Sequence, residues 1–318
     1  MNQRLLGQTG IKVSEIAFGG VEIGLPYGIG VKDKTDMVSE KEAIYLLQKA
    51  VSSGINFFDT ARAYGASESI MGSAFRDRRG QVVICSKCRH LRNTNGHLPP
   101  DDRTEGIIRN SLQESLDVLK TEYIDVYLLH QADIEILENG IIAGIFTDLK
   151  KEGLIRAAGV STYMVDETEK AINAGAWDVI QLPFNLMDQS HGSLFSLAAE
   201  KGIGILVRSV LHKGILSAKG KDLHPALKDV EKHLKLYEEL LNDSSPDLAT
   251  LAIKFALSFA SVSSVLVGID RLEYLHTSLS AANGLYLAEK ALARARQLRY
   301  PDPGFIDLRE WDRMGWLT

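Results

Sequence analysis

The sequence has little cysteine, no excess of basic residues and no long apolar run, and each absence excludes a class of protein. Its two cysteines, Cys85 and Cys88, are too few for the disulfide framework of a secreted scaffold. The chain starts with polar Asn2, Gln3 and Arg4 instead of a signal peptide, and no apolar stretch is long enough to span a bilayer. We therefore expect a cytoplasmic protein in a reducing compartment, with no membrane partner.

The charge and composition are those of an ordinary globular chain. The 36 basic and 41 acidic residues give a net charge of -5, and no segment concentrates Lys and Arg into the stripe that phosphate-backbone binding requires. Nucleic acid is therefore not an expected partner. Hydrophobic residues make up 45% of the 318 residues and charged residues 24%, so the chain can bury a large core. This length fits two ordinary domains or one large barrel.

Short apolar runs rich in Val and Ile recur along the chain, as in parallel strands that are buried on both faces. The eight predicted strands are residues 15–18, 55–58, 82–86, 124–129, 155–160, 179–182, 203–207 and 264–267. Helical patterns separate them. Ser39 and Glu42, for example, have the spacing of a capping box, and Gly54 ends the helix that follows. Eight alternations of strand and helix predict an α/β protein with a (β/α)8 TIM barrel.

A doubly wound sheet is the alternative fold for such an alternation. It normally binds a dinucleotide through a G-x-G-x-x-G motif after the first strand. The glycines that follow the first predicted strand do not have this spacing: Gly19, Gly20, Gly24, Gly28 and Gly30. The barrel is therefore favoured, as a single domain over residues 1–318 with an N-terminal cap segment. Residues 210–246 predict a long loop after the seventh strand, and residues 300–318 a C-terminal tail.

Ionisable side chains follow three neighbouring predicted strands. Asp59, Lys87 and His130 each come directly after apolar residues, and Tyr64 lies in the loop after the second strand. Each of them alone is as well explained by a structural role, such as helix capping or surface exposure. However, the carboxyl ends of barrel strands meet at one mouth, where active sites lie. Together these four side chains therefore predict a catalytic site.

The chemistry of these side chains makes Tyr64 a usable acid. A buried Lys87 beside Asp59 would stay protonated, and an ammonium next to the Tyr64 phenol would lower the phenol pKa from about 10 toward neutrality. The C-x-x-C of Cys85 and Cys88 favours neither redox nor zinc chemistry. It ends a strand, where residues three apart face opposite sides, and the chain has no second Cys pair to complete a zinc site. We expect no metal.

These segments resemble the aldo-keto reductases, and the similarity runs over nearly the whole chain. The run G-I-N-F-F-D-T-A (54–61), followed by Tyr64 and Gly65, is similar to the family's signature around its catalytic Asp and Tyr. Ser86-Lys87 resembles its Lys segment, and Y-I-D-V-Y-L-L-H (123–130) resembles the segment that ends in its catalytic His. The motifs K-E-G-L-I-R (151–156), G-V-S (159–161) and Q-L-P-F-N (181–185) follow in the family's order.

The resemblance implies an enzyme that transfers hydride between a nicotinamide cofactor and a carbonyl or alcohol substrate. Tyr64 would act as the general acid or base, Lys87 paired with Asp59 would lower its pKa, and His130 would orient the carbonyl. The implied contacts with the extended cofactor come from residues after the later strands. They are Ser161, Thr162, Gln181, Arg208, Ser209, Leu211, Gly214, Gly268, Asp270, Arg271 and Tyr274.

The resemblance leaves the cofactor open between NADP(H) and NAD(H). NADP(H) is the family default, and Arg271 could meet its 2'-phosphate. Asp270 favours NAD(H), because a carboxylate there would repel that phosphate and could accept hydrogen bonds from the ribose hydroxyls. Arg208 stands where many members have an aromatic residue, and its planar guanidinium could stack on the nicotinamide or reach a phosphate.

A weaker similarity, over residues 208–216, 224–225 and 263–268, is to galactose and aldose dehydrogenases. It implies a sugar or sugar-like carbonyl, within the family's wider range of aldehydes, ketones and sugars, as the small-molecule substrate. We expect a monomer or weak homo-oligomer. An alternative is a nucleotide-sensing regulatory subunit, since the family includes channel subunits that keep the nucleotide site. A third hypothesis is a lyase that forms a Schiff base at Lys87. The neighbouring Asp59 disfavours it, because a protonated lysine is a poor nucleophile.

Overall fold

The computed structural model describes residues 1–317, and its central element is a closed barrel of eight parallel strands. An antiparallel hairpin precedes the barrel and consists of β1 (Gln3–Leu5) and β2 (Lys12–Ser14). The barrel strands are β3 (Ile16–Gly19), β4 (Phe57–Asp59), β5 (Val83–Cys88), β6 (Ile124–Leu129), β7 (Ile155–Ser161), β8 (Val179–Pro183), β9 (Gly204–Arg208) and β10 (Val262–Gly268). Each pairs in parallel with its sequence neighbours, and β10 closes the barrel against β3.

Helices alternate with these strands and cover the outside of the barrel. They are α1 (Val21–Gly24), α2 (Glu40–Ser52), α3 (Ser67–Ala74), α4 (Asp101–Leu119), α5 (Ile134–Glu138), α6 (Gly140–Lys151), α7 (Val165–Asn173), α8 (Phe195–Glu200), α9 (Lys228–Leu234), α10 (Leu248–Leu257), α11 (Leu272–Ala281), α12 (Glu289–Gln297) and α13 (Leu308–Arg313). The (β/α)8 TIM barrel is therefore confirmed. Every predicted strand overlaps one barrel strand, and the third continues through Lys87 to Cys88. Within residues 1–317, no helix is both long and apolar enough to cross a membrane.

The capping box predicted for the first long helix is present. Ser39 Oγ accepts a hydrogen bond from the backbone N–H of Glu42, and the Glu42 carboxylate accepts from the backbone N–H of Ser39. Both bonds use donors that would otherwise lack a partner at the start of α2. After α2, the backbone turns at Gly54, whose φ of 92° favours glycine. This turn leads the chain directly into β4.

The N-terminal hairpin closes the amino end of the barrel. Leu6, Ile11 and Val13 are buried in one cluster with the inward-facing side chains of the strands. Arg4 fixes the hairpin to the barrel, because its guanidinium pairs with Glu15 at 2.8 Å and donates to backbone carbonyls near the start of β10. This hairpin is the predicted N-terminal cap segment.

The C-terminal tail packs on the long segment that follows β9. Trp311 is fully buried and lies edge-on to the His212 ring, with their centroids 5.3 Å apart. The ammonium of Lys213 forms an ion pair with Asp312. The segment after β9 contains α9, and the tail contains α13, so neither stretch is wholly irregular. Thr318, the last residue of the predicted tail, lies outside the described residues.

Candidate active site

The inward-facing positions of the strands change from apolar to polar at the carboxyl end of the barrel. The apolar set includes Phe57, Val83, Cys85, Val126, Leu128, Ala157, Val179, Leu206 and Leu266. Alternate residues of a strand face the same side, so the next inward positions belong to the mouth. They are occupied by Asp59, Lys87, His130, Ser161, Gln181, Arg208 and Gly268. The alternation of the strands therefore brings the predicted polar residues to one end.

Lys87 and Asp59 form a buried ion pair at the base of the mouth. Lys87 Nζ donates to both carboxylate oxygens of Asp59, at 2.8 and 2.7 Å, and to the carbonyl oxygen of Thr60 at 3.0 Å. Gln181 Nε2 donates a further bond to Asp59 Oδ1 at 2.8 Å. Burial alone lowers the pKa of Lys87, but the charge of Asp59 opposes this, and the pKa stays above its ordinary value. Lys87 is therefore a permanent cation.

Tyr64 lies next to this pair and lines the cleft above it. Lys87 Nζ is 4.7 Å from the centroid of the Tyr64 ring. The expectation that Lys87 lowers the Tyr64 pKa toward neutrality is wrong for the protein alone. Burial raises the pKa of Tyr64 to about 12, because desolvation of the phenolate outweighs the attraction of Lys87, which Asp59 also counteracts. Tyr64 is therefore fully protonated at neutral pH, as a proton donor must be.

His130 is held between two aromatic rings. It stacks on His90 with their centroids 4.5 Å apart and lies edge-on to Tyr64 at 5.4 Å. Burial, together with the positive charge of Lys87, lowers the pKa of His130 to about 2. His130 Nδ1 is buried and has no partner among the described residues. The ring is therefore neutral and can act in the cleft as a hydrogen-bonding group without charge.

The two cysteines face opposite sides of β5, as the sequence predicts. Cys85 belongs to the cluster inside the barrel, whereas Cys88 packs in the layer between strands and helices. Both are free and buried, and burial raises the pKa of both thiols. Across residues 1–317, no group of three or more His, Cys, Asp or Glu side chains is placed to hold a metal ion.

A cleft of about 630 Å³ extends from these residues across the barrel mouth. Besides Asp59, Tyr64 and His130, its lining includes nine of the positions predicted to bind a cofactor. These are Ser161, Gln181, Arg208, Ser209, Leu211, Gly214, Gly268, Asp270 and Tyr274. Thr162 and Arg271 are not in the lining. Thr162 is fully buried and shares a hydrogen bond of 2.6 Å with Thr168, and Arg271 is exposed outside the cleft.

Arg208 spans the wall of the cleft between β9 and the loop after β7. Its Nη2 donates to the carbonyl oxygen of Thr162 at 2.9 Å, and its guanidinium lies 4.2 Å from the centroid of the Tyr163 ring. Arg309 of the C-terminal tail lies 4.7 Å from the same centroid. Arg208 Nε is buried and lacks a partner in the described part of the chain. The side chain is therefore fixed but keeps a donor for a ligand.

Several residues of the lining lie outside the barrel strands and were not predicted. They are Glu22, Tyr27, Tyr163, Lys213, Lys219, Asp247 and Glu273, among others. A charge three residues beyond an apolar strand is a signal that sequence reasoning could have used for Glu22. The other positions depend on how the segments between the strands are arranged, which no local pattern determines.

The fold and the site together define a (β/α)8 barrel with a polar cleft at the carboxyl end of its strands, and comparison with known proteins identifies the family. The model of the Aldo/keto reductase family matches residues 15–299. The chain therefore belongs to the aldo/keto reductase family.

Relatives and solved structures agree with this assignment. The chain is 28% identical to L-galactose dehydrogenase of Arabidopsis thaliana over 89% of this chain and 88% of that protein. It is 27% identical to NADH-specific methylglyoxal reductase of Escherichia coli, over 87% of this chain and 92% of that protein. The holo form of an aldo-keto reductase from Bacillus halodurans superposes with a TM-score of 0.79 at 25% identity, covering 95% of this chain and 99% of that one.

Proposed function

We propose that this oxidoreductase reduces a carbonyl substrate, or oxidises the matching alcohol, with NAD(H) as its preferred cofactor and Tyr64 as the general acid or base. The observation that carries the proposal is the convergence of Tyr64, the Lys87–Asp59 pair and His130 at the base of one cleft. A bound nicotinamide would supply or accept the hydride there.

Side chains of the protein supply the proton that the carbonyl oxygen takes up. The Tyr64 hydroxyl donates it to the carbonyl oxygen as that oxygen gains negative charge, and Lys87 stabilises the phenolate that remains. His130 is neutral and orients the carbonyl by a hydrogen bond. Asp59 keeps Lys87 protonated and in place through the two bonds to its ammonium.

The cleft fits an extended dinucleotide. Its volume lies within the range of ligand sites, and Arg208 offers an unused donor on its wall. Ser161 and Gln181 lie beside the catalytic residues, where the resemblance implies contact with the nicotinamide carboxamide. The adenosine end would then lie beyond β10, near Asp270 and Tyr274.

The charge of that far end supports NAD(H). Three carboxylates line it, from Asp247, Asp270 and Glu273, against the ammonium of Lys219, which lies 6.0 Å from the centroid of the Tyr274 ring, and Arg271 is not in the lining. The 2'-phosphate of NADP(H) carries close to two negative charges. Repulsion between unit charges about 4 Å apart is worth about 1 kcal/mol in water and about 4 kcal/mol near a protein surface. This range corresponds to a penalty of about fivefold or more in affinity.

We expect NADH to bind at least about fivefold more tightly than NADPH, for this reason. Separate titrations that follow quenching of tryptophan fluorescence measure both dissociation constants. Asp270→Asn should reduce the preference by tightening NADPH binding. Asp148→Asn, which removes an exposed carboxylate from the outer helix α6, should leave the ratio unchanged. Equal affinities, or tighter NADPH binding, would contradict the preference, and no binding of either dinucleotide would contradict the proposed function.

The substrate proposal is an aldehyde, ketone or sugar. The names of two relatives, an L-galactose dehydrogenase and a methylglyoxal reductase, support this class. Steady-state turnover with sugars and with small aldehydes tests it, and turnover with either separates an enzyme from a nucleotide-sensing subunit. A single domain over residues 1–318, a cytoplasmic location and a monomeric or weakly oligomeric state stay predictions.

A further inference from the structure

Glu22 is a carboxyl group in the cleft that the proposed mechanism does not use. It lies in the short helix α1, three residues beyond Gly19, and lines the cleft together with Gly268. Gly19 and Gly268 are paired in register at the ends of the neighbouring strands β3 and β10. The side chain of Glu22 therefore lies over the end of β10, between the catalytic residues and Asp270.

The close approach of Glu22 to β10 requires glycine at position 268. A β-carbon there would collide with Glu22 Oε1 and with the carboxyl carbon. Any larger residue would displace the carboxyl group from this part of the cleft. The position of the Glu22 carboxyl group thus depends on the absence of a side chain at Gly268.

One oxygen of Glu22 has no partner. Glu22 Oε2 is buried and makes no hydrogen bond within residues 1–317. A buried carboxylate oxygen without a donor is costly, whereas the acid form carries a proton that it can donate to a ligand. The geometry therefore favours an uncharged carboxyl group that faces the cleft.

The charges around Glu22 also favour its uncharged form. Burial raises the pKa of Glu22 to about 8, and the negative charges of Asp270 and Asp59 add to this effect. Its own backbone N–H and Lys219, from the segment after β9, oppose it without outweighing it. The buried phenol of Tyr27 also lies nearby and stays protonated, because burial raises its pKa.

We propose that Glu22 links dinucleotide binding to proton uptake: its acid form donates a hydrogen bond to an oxygen of the bound dinucleotide, and its carboxylate form repels the cofactor phosphates. The proposal rests on the proposed function, because it assumes that this cleft takes a dinucleotide. The proton comes from solvent and resides on the Glu22 carboxyl group. No covalent bond of the cofactor is made or broken.

The affinity for the dinucleotide should therefore depend on pH and should weaken as the pH rises. Below pH 8 most molecules already carry the proton, so the dissociation constant for NADH should be nearly constant. Above pH 8 each binding event takes up about one proton, and the dissociation constant should rise by up to about tenfold for each pH unit. NADH is the right probe, because its two phosphates do not titrate in this range, whereas the 2'-phosphate of NADPH has a pKa of about 6.

The test is a series of NADH titrations of the full chain between pH 6.5 and 9, at constant ionic strength, followed by protein fluorescence. Glu22→Gln keeps the shape of the side chain and cannot ionise, so its dissociation constant should stay at the low-pH value across the series. Calorimetric titration at pH 8.5 in two buffers of different ionisation enthalpy should show proton uptake by the wild type and none by this variant.

The matched control is Glu273→Gln, which removes an exposed carboxylate from the same cleft. Its affinity for NADH can shift, but its dependence on pH must remain that of the wild type. A flat wild-type profile, or a Glu22→Gln variant that keeps the wild-type slope, would overturn the proposal. If NADH and NADPH fail to bind at every pH, the proposed function fails instead. The thermal melting of each variant shows that it is folded.

Discussion

Replacing Tyr64 by Phe is expected to reduce turnover by about 10²- to 10⁴-fold and to leave NADH binding nearly unchanged. The change removes only the hydroxyl, so the ring keeps its edge-on contact with His130 and its position 4.7 Å from the Lys87 ammonium. The loss should therefore fall on the chemical step. Steady-state turnover with a carbonyl substrate and a fluorescence titration with NADH measure the two effects separately.

The control for this experiment is Tyr45→Phe, which removes a hydroxyl from an exposed position of α2. Its turnover should equal that of the wild type. If Tyr64→Phe retains near-normal turnover, Tyr64 is not the proton donor. If it loses NADH binding as well, the hydroxyl acts on the cofactor and the assigned role is also wrong.

Replacing Lys87 by Met is expected to lower the free energy of unfolding by about 3–5 kcal/mol and to abolish most turnover. Met has a similar shape, so the packing changes little. The carboxylate of Asp59, however, loses both bonds to the ammonium and stays buried with Gln181 as its remaining side-chain donor. Urea unfolding followed by circular dichroism measures the loss.

Two further variants separate this effect from a general loss of packing. Lys254 is also fully buried, but it donates to Ser244 and to the Leu285 carbonyl, and within residues 1–317 it has no carboxylate partner. Lys254→Met should therefore cost less stability than Lys87→Met. Adding Asp59→Asn to Lys87→Met removes the isolated charge and should restore part of the stability but none of the turnover. A double variant less stable than Lys87→Met would contradict this account of the pair.

The sequence was sufficient for the barrel and for the base of the site, because both depend on strand periodicity. Asp59 and Lys87 lie at or near the ends of β4 and β5, and His130 directly follows β6, so the alternation of faces determines where they point. The same alternation turns Thr162, next to Ser161, away from the cleft and toward Thr168. The loops do not follow such a rule. Glu22 reaches the cleft only because Gly268 leaves room on the neighbouring strand.

The electrostatics of Tyr64 could not be predicted for a different reason. The sequence shows that a lysine is near, and this alone lowers a phenol pKa. It does not show how far the phenol is removed from water, nor that Asp59 cancels much of the lysine's field. Both depend on the packed structure, and together they reverse the sign of the shift.

The hairpin of β1 and β2 limits the route by which Tyr64, the proposed proton donor, can regain a proton. Leu6, Ile11 and Val13 seal the amino end of the barrel, and an apolar layer lies between them and Lys87. The barrel is thus open only at the carboxyl end of its strands. If Tyr64 is the proton donor, as proposed, the proton that it gives up has to be replaced from the side on which substrate and product move. Reprotonation of Tyr64 between turnovers would then use the same opening that releases the product.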